Sequence, residues 1–165
     1  MENCRFDKFK GFLVDIIESA RSEAFENGFT PPKLLAFGDH AGKEHNPYME
    51  NHSDRLDWLP DDHVQPDDAD IGYFVGCTSS YREKALARNT YELLKGAGIK
   101  FVVLKDEWCC GSPLLRTGQR DEANKMVEHN IKVIHGPGHQ EGNHIVRWLL
   151  PDLEGGLPET YRQGP

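Results

Sequence analysis

A strand–helix–strand pattern between residues 70 and 104 constrains the fold more than any other feature of the sequence. DIGYFVG and IKFVVL are short apolar runs rich in aromatic and β-branched residues, as expected for buried strands. Between them, SSYREKALARNTYELLKGAG offers a serine cap, an apolar face and a terminating Gly-Ala-Gly. A helix between two such strands is a βαβ crossover, in which the strands lie parallel. We therefore predict an α/β fold with a Rossmann-like parallel sheet.

Changes in residue composition and periodicity divide the chain into three segments. Residues 1–66 are helical and then irregular, residues 67–134 contain the strand–helix–strand pattern, and residues 135–165 are crowded with Gly, Pro and His without a clean period. We predict, in this order, an N-terminal helix with a connector, a cysteine-rich module and a divergent tail.

The first segment begins with an amphipathic helix. Apolar residues recur at helical spacing from Arg5 to about Glu26, and Asn27-Gly28 followed by Pro31-Pro32 ends the pattern. The next stretch is rich in Pro, Gly, Asp and His, so we predict a long irregular connector with one short helix. In the second segment, a further helix is predicted over residues 117–134.

Composition narrows the class of protein. The 165 residues carry a net charge of −8, which disfavours a nucleic-acid partner because phosphate binding needs a basic face. The sequence has no run of eighteen apolar residues and no secretory signal, so we predict no transmembrane segment and a cytoplasmic protein. In that compartment, four cysteines favour metal or redox chemistry over structural disulfides.

Three of the cysteines fall at strand ends. Cys77 follows the first predicted strand, and Cys109 and Cys110 follow the second, with 31 residues between Cys77 and Cys109. Parallel strands bring their carboxyl ends to one edge of a sheet, where α/β folds bind ligands. We therefore expect these three sulfurs to share one metal centre.

Other interpretations of the cysteines are open at this point. Cys77 alone is as readily a small buried hydrophobe. Cys109 and Cys110 could form a strained disulfide, although adjacent residues lie closer than bridges favour. A structural zinc site normally uses CxxC pairs, which the sequence lacks. Cys4 has no partner in sequence and is predicted to be a bystander.

The stretch from VGCTSS to KMVEHN resembles the cysteine-rich CCG domain of iron–sulfur oxidoreductases, most of all that of heterodisulfide reductase D-type subunits. The family pattern is a cysteine, a CCG one βα unit later, and then a CxxC. Its first two parts and three accompanying positions are matched by Cys77, Cys109, Cys110, Gly111, Gly76, Pro113 and Gly118. The resemblance covers roughly Phe29 to Asn130.

The resemblance implies a 4Fe–4S-type iron–sulfur cluster, non-cubane in heterodisulfide reductases. Cys77, Cys109 and Cys110 would be its ligands and the catalytic residues, and Gly111 would let the backbone turn tightly beneath it. The implied reaction is disulfide reduction by one-electron steps. The implied partners are other redox subunits (iron–sulfur, flavin or haem proteins) and a small disulfide, or electrons derived from a hydroxy acid. A partner subunit would place the protein at the periphery of a membrane.

The sequence departs from the family pattern at both ends. Members carry a preceding ferredoxin-like segment and two CCG modules, each ending in CxxC, whereas no cysteine follows Cys110 here. Three clustered thiolates are fewer than a 4Fe–4S cluster normally takes, so we expect the chain alone to bind a cluster poorly or not at all. The alternatives are a non-catalytic remnant or interaction module that binds zinc or nothing, and a thiol–disulfide protein that uses Cys109 and Cys110 directly.

The tail can yield the missing motif when it is read in a shifted frame. If each codon from about His135 is read from its second base, the codon of Trp148 must give Gly. The codons of Val146 and Leu149 can then give Cys, which leaves 35 residues between Cys110 and the first of them. We hypothesise that the tail is translated out of frame.

A literal interpretation of the tail is weaker. VIHGPGHQEG imitates a glycine-rich dinucleotide loop, but a proline separates the glycines and the third glycine comes one place late. The histidines of the tail and the connector fit no metal-binding pattern and are predicted to be surface residues; they are His135, His139, His144, His40, His45, His52 and His63.

Sequencing of the gene across the codons for Val133 to Leu150 tests the frame hypothesis. We expect a codon choice that spells CxxC in the shifted frame. Codons that cannot spell it would contradict the hypothesis.

Overall fold

The computed structural model describes residues 10–66, 69 and 71–135. The part of the first predicted helix before Lys10, the bystander Cys4 and the tail beyond His135 lie outside this range. The helices and strands are α1 (Lys10–Glu26), α2 (Pro32–Glu44), β1 (Ile71–Tyr73), α3 (Lys84–Gly96), β2 (Phe101–Val103), α4 (Ser112–Arg116) and α5 (Arg120–His135). A 3-10 helix spans His52–Leu56, and a π-helix spans Thr78–Arg82.

The two strands pair in parallel and are joined by α3. Ile71 lies opposite Phe101, and Tyr73 lies opposite Val103. The predicted α/β class and the parallel crossover are confirmed. The described residues form a two-stranded sheet, so the Rossmann-like order of a larger sheet stays a prediction.

The connector is more helical than predicted, because the one helix expected in it is longer than a short helix. It contains the 13-residue helix α2, which starts at Pro32, where the missing N–H of proline has no cost. Helix α1 already ends at Glu26, before Gly28 with its φ of 76°, and the Pro31-Pro32 pair begins α2. Gly38 and Ala41 are its buried positions, and these small residues let α2 pack closely against the rest of the chain.

The helical segments after each strand also begin differently from the prediction. The polypeptide after Cys77 first forms the π-helix and only then enters α3 at Lys84. After the paired cysteines, a short helix α4 precedes α5, and Thr117 to Gln119 separate the two. Sequence periodicity did not resolve these breaks because each covers little more than one helical turn.

The buried residues form two clusters. One surrounds the cysteines and contains Ala41, Cys77, Tyr81, Cys109, Leu114, Ala123 and Met126. The other lies between the sheet, α3 and the connector and contains Trp58, Tyr73, Val75, Ala87, Tyr91, Phe101 and Val103. In the second cluster the fully buried Trp58 ring meets Tyr73 and Tyr91 edge-on, with ring centroids 5.8 and 6.2 Å away. The connector is thereby packed onto the βαβ unit.

The turn between α4 and α5 lies directly against α1. Gly118 has a φ of 87°, and its carbonyl oxygen accepts a hydrogen bond from the Ser22 hydroxyl. A Cβ atom at position 118 would lie 2.3 Å from the backbone oxygen of Arg21. Only glycine fits this position, because the neighbouring atom is backbone and cannot move aside.

Gly118→Ala is therefore expected to lower the free energy of unfolding by about 3 kcal/mol or more, since a strained φ adds to a backbone clash. Gly28→Ala is the matched control: Gly28 has a φ of 76° but no neighbour within 4 Å. It should cost only about 1–2 kcal/mol, the cost of the left-handed conformation. Urea unfolding of both variants measures the difference, and equal costs would contradict the close approach of α1.

Candidate metal centre

The structure brings three of the four cysteines together. Cys77 immediately precedes the π-helix beyond β1, whereas Cys109 and Cys110 lie in the loop between β2 and α4. All three are free thiols; Cys77 and Cys109 are buried, and Cys110 is half-buried. Cys77 and Cys109 belong to one buried cluster, and Cys110 packs against it. Their convergence is a feature of the structure, whereas their role as metal ligands stays a prediction.

A buried ion pair adjoins the cysteines. The guanidinium of Arg55, from the 3-10 helix, pairs with the carboxylate of Glu107, and each residue is about 1% exposed. Arg55 also donates from Nη1 to the sulfur of Cys77 at 3.8 Å. Its guanidinium lies 5.7 Å from the centre of the Tyr81 ring. The positive charge that contacts Cys77 therefore comes from the connector, through Arg55.

Glu107 connects the two cysteine-bearing loops. Its Oε2 accepts the backbone N–H of Val75, and its Oε1 accepts that of Gly76, each at 2.7 Å. These are the two residues before Cys77, while Glu107 itself lies two residues before Cys109. One carboxylate thus fixes the distance between the loop after β1 and the loop after β2.

The loop of the paired cysteines is also held from α2 and α5. The backbone N–H of Cys109 donates to the carbonyl of His45 at 2.8 Å. The buried Asn130 side chain accepts from the Trp108 N–H and donates to the carbonyls of Trp108 and Cys109. A Cβ on Gly111, whose φ is 81°, would lie 3.0 Å from the carbonyl oxygen of Ala123. The tight turn at Gly111 therefore seats this loop against α5.

The Trp108 ring lies between two histidines. The rings of His45 and His129 stack on its two faces, with centroid distances of 3.4 and 3.8 Å. The backbone oxygen of Asp106 forms a hydrogen bond with the His129 ring, and the Asp106 carboxylate forms one with the His52 ring. His45 and His52, which were predicted to be surface residues, are half-buried and hence only partly exposed. His63 is likewise half-buried and is hydrogen-bonded to Tyr91, and His40 is half-buried as well.

Contacts among the thiols change their ionisation. Hydrogen bonding to Cys109 is the main reason that the pKa of Cys110 falls to about 6, with burial acting against it. Cys109 and then Arg55 lower the pKa of Cys77, again against burial. The same contacts raise the pKa of Cys109. The thiolate is the form of cysteine that binds metals, so two of the three side chains are disposed towards that form.

The donor set suits a soft metal with sulfur ligands. Three thiols and a buried cation next to them are the groups that iron–sulfur chemistry uses. Across residues 10–66, 69 and 71–135, no three His, Cys, Asp or Glu side chains are arranged as a ready site for a metal ion.

Sequence reasoning missed Arg55 and Glu107. Both occur in polar stretches, SDRLDW and KDEWCC, where a charged residue normally faces solvent. The one usable signal was the position of Glu107 beside the paired cysteines, and Arg55 carried none. Asn130 was missed for the same reason, because a polar residue in a helix is usually exposed.

The comparison with protein families agrees with this geometry. Residues 71–145 match the model of the cysteine-rich domain known as CCG. The chain belongs to this cysteine-rich CCG domain family, and it is related to iron–sulfur oxidoreductase subunits.

Among individual proteins, the chain is similar to the D-type subunit of heterodisulfide reductase. It is 44% identical over 130 residues to this subunit of the dihydromethanophenazine:CoB–CoM heterodisulfide reductase of Methanosarcina barkeri, which covers 76% of this chain and 32% of the relative. The same subunit of Methanosarcina acetivorans is 41% identical over 136 residues, with the same coverage. An uncharacterized iron–sulfur protein of Methanocaldococcus jannaschii is 27% identical over 118 residues, or 71% of this chain and 24% of that protein.

These matches cover part of each relative. The chain spans about a third of the length of the two Methanosarcina relatives. No solved structure gives a significant match. None of the helices within residues 10–66 and 71–135 has the length and apolar character that crossing a membrane requires.

Glu107→Gln tests the ion pair. It keeps the shape of the side chain but leaves the Arg55 charge buried without a counter-charge, so we expect the free energy of unfolding to fall by about 3–5 kcal/mol. Glu122→Gln is the matched control, because Glu122 pairs with Lys125 on the surface of α5 and an exposed pair contributes little. Urea unfolding reports both, and an unchanged midpoint for Glu107→Gln would show that the pair does not hold the loops.

Proposed function

We propose that this chain is the CCG module of an iron–sulfur oxidoreductase of the heterodisulfide reductase type. In this proposal Cys77, Cys109 and Cys110 are ligands of a 4Fe–4S-type cluster. The observation that supports it is the meeting of three thiols from two strand ends beside a buried guanidinium. A scaffold that needed only small apolar residues would have no reason to place a cation there.

The bound cluster would supply one-electron transfer to a small disulfide. The residues of the chain have separate tasks around it. The three cysteines supply sulfur ligands, and burial of Cys77 and Cys109 excludes water from them. Arg55 offsets the negative charge of the thiolates, and Gly111 lets the loop between β2 and α4 turn without a side chain in the way.

The three thiols do not complete a four-ligand set. A fourth ligand would have to come from beyond the described residues, from a partner or from a small thiol. The proposal keeps the division of the chain into residues 1–66, 67–134 and 135–165. It also includes the hypothesis that the correct reading frame encodes a CxxC motif in place of the tail. Finally, it includes attachment to the periphery of a membrane through a partner subunit. Arg55 and Trp58 of the connector contact this module across the boundary at residue 66.

The partners follow from the proposed chemistry. One-electron reduction of a disulfide needs a protein that delivers electrons singly, such as an iron–sulfur, flavin or haem protein. The Methanosarcina relatives are themselves named as subunits of a larger enzyme. We propose that this chain likewise works beside other redox subunits.

Anaerobic reconstitution tests the cluster. The full chain is incubated with ferrous iron, sulfide and 2-mercaptoethanol as a small supplementary thiol, then desalted and assayed for iron and sulfide. We expect wild type to retain both, at less than one cluster per chain because one protein ligand is missing. Cys77→Ser, Cys109→Ser and Cys110→Ser should each lose most of this content, roughly tenfold.

The control in this experiment is Cys4→Ser, which removes the cysteine that has no predicted role and should change nothing. Retention of zinc in place of iron and sulfide would favour the non-catalytic module. Equal iron and sulfide in the wild type and in all three single variants would show that the cysteines are not the ligands.

A further inference from the structure

Arg55, which contacts Cys77, and two residues of the π-helix after Cys77 have buried polar atoms without partners. Within the described residues, the buried Arg55 Nε, Ser80 Oγ and Tyr81 Oη atoms have no hydrogen-bond partner. Ser80 and Tyr81 belong to the π-helix that follows Cys77, and Arg55 donates to the Cys77 sulfur. Folded proteins seldom leave buried donors unpaired, so such a group indicates an acceptor outside the protein.

Arg55 has more donors than the protein has acceptors for them. A guanidinium carries five N–H bonds in a fixed plane. One nitrogen faces Glu107, a second faces Cys77, and Nε faces no acceptor. The oxygens of Glu107 accept the N–H groups of Val75 and Gly76 and an Nη2 hydrogen of Arg55, and neither oxygen accepts from Nε. The Nε–H of Arg55 therefore remains available to a further acceptor.

The Tyr81 hydroxyl is likewise a buried donor without an acceptor. Its ring packs in the core cluster that contains Cys77 and Cys109, beneath the Arg55 guanidinium. The hydroxyl lies close enough to Arg55 for the cation to oppose the effect of burial on the pKa of Tyr81, but its proton has no acceptor. Phenylalanine would fill the same space, so packing alone does not explain a hydroxyl here.

We propose that Arg55 donates hydrogen bonds to the Cys77 sulfur, and that Arg55 and Tyr81 both donate to the sulfur of the group bound there, where they stabilise negative charge. Hydrogen bonds to cluster sulfur stabilise the reduced, more negative form, so both residues raise the reduction potential of the site. Arg55 and Tyr81 act through sulfur and are tuning residues. This inference rests on the proposed function and adds to it the residues that set the potential.

A purely structural role makes a different prediction. If Arg55 only balances Glu107, any cation in its place would serve, and Tyr81 would contribute only its ring. Tyr81→Phe is therefore the informative variant, since it removes one unpartnered hydroxyl and should leave the unfolding midpoint of the metal-free protein unchanged. Arg55→Lys keeps the charge but removes the planar set of donors.

The test is a potentiometric titration of the full chain. Protein reconstituted anaerobically with ferrous iron, sulfide and 2-mercaptoethanol is reduced stepwise with dithionite, and the reduced form is followed by electron paramagnetic resonance. We expect Tyr81→Phe to lower the reduced-to-oxidised ratio at a fixed potential about tenfold, or about 59 mV for a one-electron couple. Arg55→Lys should shift the potential in the same direction.

Tyr73→Phe is the matched control. Tyr73 is a buried tyrosine in the other core cluster, and its hydroxyl donates to the carbonyl of Ala87. Its removal should lower the unfolding midpoint but leave the reduction potential where it is in wild type. The two tyrosine variants thus separate an effect on stability from an effect on potential.

The outcomes distinguish this inference from the proposed function. Suppose that wild type retains iron and sulfide, and that Tyr81→Phe and Arg55→Lys have the same reduction potential as wild type. The two residues then do not tune the site, and the inference is overturned while the proposed function stands. If wild type retains no more iron and sulfide than a variant with Cys77, Cys109 and Cys110 all changed to Ser, the proposed function fails and the inference fails with it. If Arg55→Lys does not fold, Tyr81→Phe decides alone.

Discussion

The buried pair of Arg55 and Glu107 is the interaction on which the cysteine site depends. Transfer of two charges out of water is costly, and the attraction between them offsets that cost only when further hydrogen bonds satisfy both. Here the carboxylate accepts from two backbone N–H groups as well as from the guanidinium. The pair therefore persists only if the connector, the loop after β1 and the loop after β2 are all in place.

This dependence links the segment before the βαβ unit to the chemistry after it. The connector contributes Arg55 to the cysteines and Trp58 to the core beneath the sheet. Helix α2 contributes the carbonyl of His45 and α5 contributes Asn130, both to the loop of the paired cysteines. A site assembled from elements so far apart in sequence forms only in the folded chain, which suits a centre whose ligands must be preorganised.

Sequence reasoning succeeded where the signal was periodic and local. The parallel strands and α3 were predictable because apolar runs of strand length flank a helix of crossover length. The positions of Cys77, Cys109 and Cys110 followed from that topology, since strand ends share an edge. The length of helix α2 was underestimated, because its sequence has no sustained apolar period. The role of Arg55 could not be predicted, because a lone arginine in polar sequence gives no indication of burial.

The sequence by itself determined the α/β class, the parallel crossover and the edge at which the thiols meet, because these depend on the order of strands and helices along the chain. Only the tertiary structure decided which charged groups surround the thiols. Arg55 and Glu107 are separated by 51 residues, and which of many charged side chains becomes buried depends on how the connector packs. Periodicity carries no information about that packing, because a single charged residue has no period.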